Sequence, residues 1–191
     1  KNHWAEAHYK KPKTVYKHRC LTDDEVQLLL YGSEKFKKTW WFNEWQYLTN
    51  VMYYTGARIN AAAELQISSA IFDERLLWLS NKNSDDHNAY MPDALFDFLK
   101  KYKPESEPSS GMYLKAPAKG ASRTDYWTRQ WPISAKRIGV KCTAHDVRNT
   151  YVTRMTEQLD QRVSMNIVGQ SSAKIHELCR EFGVISPVAR G

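Results

Sequence analysis

Apolar positions recur at helical spacing over most of the chain and alternate over only one short stretch. In "LTDDEVQLLLYG", residues 21–32, Thr22 stands where a helix N-cap belongs and Glu25 follows three positions on, the pattern of a capping box. Gly32 ends that helix. "FNEWQYLTNVMYYTG", residues 42–56, predicts a buried helix that stops at Gly56, and the alanine-rich "ARINAAAELQ" predicts a short one after it. Leu77 and Leu79 then alternate with Trp78 and Ser80. A polar turn, Asn81 to Asn88, separates this strand from a second one ending at Pro92, and Asp93 is placed to cap a helix running through Lys101. Residues 103–123, rich in Pro, Ser and Gly, predict a loop. Helical spacing returns over 124–138, 145–158, 161–168 and 172–181. Residues 1–20 are basic, contain Pro12 and show no period, so they are expected to form an arm or linker ahead of one domain over 21–191. The predicted fold is mainly α with a small antiparallel β-sheet.

Charge adds a partner class. Lys and Arg outnumber Asp and Glu by 28 to 21, a net charge of +7, which favours a polyanion such as nucleic acid. No apolar run is long enough to span a membrane, and the opening residues lack the apolar block of a secretory signal. Cys20, Cys142 and Cys179 are odd in number and widely spaced, which argues against a disulfide framework or a zinc site and for a reducing cytoplasm. The scattered histidines form no H-E-x-x-H motif, so neither a metal nor a cofactor is expected.

Several side chains could carry chemistry. Arg58 begins a helix after the Thr55-Gly56 turn, where the positive end of the helix dipole disfavours a cation unless an anion is bound. A surface arginine is the alternative. His145 and Arg148, three apart in "TAHDVRNTYVTR", share one helix face. Histidine can move a proton near neutral pH and the arginine fork suits phosphate oxygens, but a structural pair would leave the same pattern. Lys82 in the turn "SNKNSDD" and Cys179 on the last helix are, taken singly, a solvated lysine and a core thiol.

The order of these elements carries more than each alone. "TGAR" after a helix, a hairpin lysine, "AHDVRNTYVT", then "VGQSS" and a final short helix resemble the catalytic domain of the tyrosine recombinases, the phage-integrase family. The resemblance covers about residues 20–182. It implies that Arg58 and Arg148 clamp the non-bridging oxygens of a scissile DNA phosphate. It further implies that Lys82 donates a proton to the departing 5′ oxygen and that His145 assists proton transfer at the nucleophile. Double-stranded DNA is then the expected partner, bound as a homo-tetramer, with a monomer the alternative for the isolated domain. A type IB topoisomerase-like enzyme shares this fold and chemistry, but the short chain and the motif set favour the recombinase.

The departures are informative. The family's acidic residue three positions after the first arginine is Ala61 here, and Glu64, a turn further, could substitute if it faces the same way. Gln170 stands where a phosphate-binding His or Trp is usual; its amide can donate but cannot carry a proton. Asn149 replaces a common histidine. Nine residues after Gln170, at the position of the nucleophilic tyrosine, the chain has Cys179, and no tyrosine follows Tyr151. Three readings stay open. Cys179 is a thiol nucleophile on a side chain shorter than tyrosine's; or the tyrosine has been replaced, in nature or by engineering; or the tyrosine lies beyond Gly191 or comes from another chain. A catalytically inactive, integrase-derived DNA-binding regulator is the rival function.

Overall fold

The computed structural model describes residues 19–32, 40–80, 87–102, 111–115, 117 and 120–158. Helix α1, Asp23–Tyr31, starts as the sequence predicts. The Thr22 hydroxyl accepts from the Glu25 amide and the Glu25 carboxylate accepts from the Thr22 amide. Gly32 closes it, at a φ of +63°. Helix α2, Trp40–Thr55, is the centre of the domain. Phe42, Trp45, Tyr47, Leu48, Val51 and Met52 are all almost completely buried, so apolar side chains cover most of the helix circumference, as a core helix requires. It packs against α1, against the short helix α3 (Ile59–Ala63), against α4 (Asp93–Lys101) and against α6 (Ala144–Gln158).

Helix α5, Arg123–Ile138, meets α2 through a tryptophan pair. The rings of Trp45 and Trp131 stack at 5.9 Å. Both indoles are buried and both N–H groups are satisfied, Trp45 donating to the Trp131 carbonyl at 3.3 Å and Trp131 to the Thr49 hydroxyl at 3.1 Å. Satisfied buried donors avoid the 1–3 kcal/mol or so that an orphaned polar group costs. Ser122 caps α5 and Gly139, at φ +107°, ends it. Pro132 lies inside the helix, which continues through it.

The sheet has three antiparallel strands in the order β1-β2-β3: Ala70–Ile71, Leu76–Leu79 and His87–Tyr90. The sequence pattern foresees a hairpin but not its register: β3 already begins at His87, inside the stretch read as turn, so that Leu77 faces Ala89 and Trp78 faces Asn88, and the two-residue β1 beside it is not foreseen. Asp93 also departs from expectation. Pro92 holds the N-cap position without a side-chain bond, and the Asp93 carboxylate instead takes a hydrogen bond from Arg75. The loop after α4 contributes to the core as well. Gln66 and Met112 form a bridge, and Tyr113 and Leu114 are buried.

Candidate phosphate-binding cleft

Two turns and the three helices α3, α5 and α6 build the site. Helix α2 ends at Thr55, whose hydroxyl donates to the Val51 carbonyl at 2.6 Å and accepts from the Ala57 amide at 3.2 Å. Gly56 then adopts a φ of +66°, a left-handed conformation that costs an L-residue about 1–2 kcal/mol. A Cβ there would fall 2.3 Å from Cδ1 of Tyr151, so the ring of Tyr151 occupies the space glycine leaves. Buried Ala57 carries the chain to Arg58, which caps the start of α3 with extended backbone angles and an exposed side chain.

Helix α6 begins at a capping box. The Thr143 hydroxyl accepts from the Asp146 amide at 3.3 Å, and the Asp146 carboxylate accepts from the Thr143 amide at 2.7 Å. This places His145 in the first helical turn, exposed, and Arg148 one turn on. Arg148 is only 4% exposed. Its Nη1 donates to the carbonyl of Gly56, so the turn before Arg58 holds the guanidinium of Arg148.

Arg58, His145 and Arg148 line one open cleft of about 360 Å³ between α3, α5 and α6. Ile59 and Asn60 join Arg58 on the α3 side, Thr128 and Pro132 come from α5, and Thr143 and Ala144 from the start of α6. Two guanidinium groups, an imidazole and neutral hydrogen-bonding groups suit an anion with several oxygen acceptors. Thr128, Pro132 and Thr143 escaped the sequence reading. Thr143 had a signal, since Thr143 and Asp146 fit the capping-box spacing, whereas Thr128 and Pro132 reach the cleft only through packing of α5.

The structure brings together three of the six residues singled out in the sequence. Lys82 lies outside the described residues, in the segment joining β2 to β3, and so do Gln170 and Cys179 and the helices expected over 161–168 and 172–181. Glu64 does not line the cleft. Its carboxylate accepts from the amide and hydroxyl of Thr124 and lies 3.8 Å from Arg123, which ties α3 to the start of α5. Ala61 is buried.

Among the described residues, no group of three or more His, Cys, Asp or Glu side chains could hold a metal ion, and no helix is long and apolar enough to cross a membrane. Burial pushes the Cys142 thiol up to about 12 and raises that of Cys20, the latter partly offset by a hydrogen bond to Thr153. The Tyr151 phenol is also raised by burial, against the pull of the nearby Arg148 charge.

Comparison with known proteins agrees with this architecture. The model of the phage integrase family matches residues 19–176. Tyrosine recombinase XerA of Pyrococcus furiosus is 25% identical over 167 residues, covering 84% of this chain and 56% of its own length. The chain thus spans little more than half of that curated relative. Among solved structures, a XerA recombinase superposes with a TM-score of 0.67 at 20% identity, over 84% of this chain and 59% of the other. The catalytic domain of bacteriophage HP1 integrase gives 0.63 at 16% identity, over 87% and 89%. A lambda integrase (75-356) dimer bound to a COC′ core site gives 0.62 at 16%, over 95% and 65%. The chain belongs to the phage integrase family and has the fold of a tyrosine-recombinase catalytic domain, mainly helical with a small three-stranded antiparallel sheet.

Proposed function

We propose that this chain is the catalytic domain of a site-specific DNA recombinase or integrase whose cleft grips a phosphate of duplex DNA but whose nucleophile position is held by Cys179. The observation that carries the reading is the buried guanidinium of Arg148, held on the Gly56 carbonyl in the same cleft as Arg58 and His145. An arginine fork held by backbone, beside a second arginine, suits a phosphodiester. The net charge of +7 fits the same partner.

In the reaction this arrangement serves, an oxygen nucleophile bonds to phosphorus as the P–O5′ bond breaks. Arg58 and Arg148 offset the charge that builds on the non-bridging oxygens, with the Gln170 amide as a further donor. Lys82 supplies the proton the 5′ oxygen needs, and His145 handles the proton at the nucleophile. The product is a covalent 3′-phosphoryl enzyme, normally on tyrosine. Cysteine at position 179 places its sulfur well short of a tyrosine oxygen on an unshifted backbone. Misplacement on that scale costs orders of magnitude in rate, so cleavage by this chain is impaired. The basic segment ahead of Arg19 serves as the link from a preceding DNA-binding unit, Arg19 and Cys20 themselves being bonded to the domain, and assembly on double-stranded DNA is homo-tetrameric. The odd number and wide spacing of the three cysteines suit a reducing cytoplasm.

The test is binding. With a fluorescein-labelled duplex, Arg148→Ala weakens affinity and lowers the slope of log K against log salt by about one, as expected for one lost phosphate contact. An unchanged slope contradicts a phosphate in this cleft.

A further inference from the structure

Helix α6 is held from behind by the chain that enters the domain. The Arg19 amide donates to Asp146 Oδ1 at 3.2 Å, and the Leu21 amide donates to the Thr150 hydroxyl at 2.8 Å. That hydroxyl in turn donates to the Asp146 carbonyl at 2.8 Å, and Cys20 Sγ lies 3.1 Å from the Thr153 hydroxyl. Arg19 Nη2 reaches the Lys141 carbonyl at 2.8 Å, just ahead of the helix. Positions 146, 150 and 153 fall on one face of α6, whereas His145 and Arg148 lie roughly 100–160° around it from Asp146, at about 100° per residue. One face is bound to the entering chain and another carries the cleft residues.

Asp146 joins the two. Its carboxylate is buried and accepts three hydrogen bonds, from the Arg19 amide and from the amide and hydroxyl of Thr143. It therefore fixes the first turn of α6, where His145 sits, to the backbone of the incoming segment. Thr150 does the same one turn on, linking Leu21 to the Asp146 carbonyl. A rigid helix moves as one body, so a shift of residues 19–21 along α6 is passed to His145 and Arg148.

We propose that Arg19–Leu21 is a brace, and that Asp146 and Thr150 are positioning residues through which it sets His145 and Arg148 in the cleft. The proposal rests on the reading of the cleft as a phosphate site. It makes the direction in which the chain enters the domain a determinant of how well that site grips DNA.

A double-mutant cycle tests it, with duplex DNA of arbitrary sequence as the probe and anisotropy as the readout. Thr150→Val keeps shape and removes the hydroxyl, on a face away from the cleft. Expected is a folded variant that binds about three- to tenfold more weakly, with a lowered salt slope, and Thr150→Ser restores both. Combined with Arg148→Ala, Thr150→Val adds no further loss. A folded Thr150→Val with an unchanged slope, or a loss that adds fully to that of Arg148→Ala, overturns the brace while leaving the phosphate site standing. Arg148→Ala with an unchanged slope overturns the phosphate site and the brace with it. If circular dichroism shows Thr150→Val unfolded, Asp146→Asn takes its place with the same expectations, since an amide has one acceptor oxygen for the three donors that the carboxylate serves.

Discussion

The guanidinium of Arg148 donates to the backbone carbonyl of Gly56, 92 positions earlier in the chain. Two residues after that carbonyl comes Arg58, which lines the same cleft. One turn of backbone therefore fixes the buried arginine and presents the exposed one. Thr55 and Tyr151 hold that turn from either side, the first through its two hydroxyl bonds and the second by filling the space beside Gly56.

Gly56→Ala tests whether the turn is as constrained as it looks. Alanine at φ +66° carries left-handed strain, and its Cβ collides with the Tyr151 ring. Together these cost about 2–5 kcal/mol, read as a lowered denaturation midpoint. Tyr151→Ala in the same chain opens the space and recovers the part due to collision but not the part due to φ. A Gly56→Ala chain as stable as the parent contradicts this account of the turn.

Acid stability reports on the start of α1. The Arg19 side chain, hydrogen-bonded to Glu25 at 2.7 Å, holds the Glu25 carboxyl below its ordinary value, with the Thr22 amide adding to the effect. A depressed folded pKa means the stabilisation is fully present above the unfolded value, about 4.3. It is lost as pH falls through the folded value. Glu25→Gln lowers stability at neutral pH and flattens its fall below about pH 4.3. The pair is partly exposed, so the effect is at most about 1 kcal/mol. Urea titrations at neutral and acid pH measure it, and parallel curves for the two proteins contradict it.

Thiol chemistry separates the cysteines. Cys142 is buried and its thiol is pushed up to about 12, so at pH 8 its thiolate fraction is on the order of 10⁻⁴. In the native chain, iodoacetamide leaves Cys142 unmodified over hours, and denaturant exposes it at once. Peptide mass spectrometry reads the difference. Rapid native alkylation at Cys142 would contradict its placement.

Local signals in the sequence sufficed where the physics is local. Thr22, Glu25 and Gly32 mark the ends of α1 because caps and breakers act on neighbouring backbone. The same holds for the presence of the hairpin, though not for the register that pairs Leu77 with Ala89. Strand β1 was hidden because two residues cannot show a period, and it exists only through pairing with Leu76 and Leu77. Tyr113 and Leu114 sit in a stretch whose Pro, Ser and Gly content signals a loop, and their burial depends on the remote bridge from Gln66 to Met112. In the cleft, spacing alone could pair His145 with Arg148. That Arg58 joins them came from the family resemblance, because a contact such as that from Arg148 to Gly56, 92 positions apart, leaves no trace in local pattern. Asp146 carried a local signal in its capping-box spacing from Thr143, but its bond to Arg19, 127 positions away, carried none.

In the function proposed above, the cleft is furnished for breaking a DNA phosphodiester and the attacking residue is missing at position 179. Covalent trapping on a nicked suicide duplex, resolved after denaturation, tests it most directly. No adduct is expected with the parent chain, and a denaturant-stable adduct is expected with Cys179→Tyr. An adduct formed by the parent chain and lost in Cys179→Ala would make sulfur the nucleophile, and a Cys179→Tyr chain that traps nothing would show a cleft built only to bind. Either result contradicts the claim.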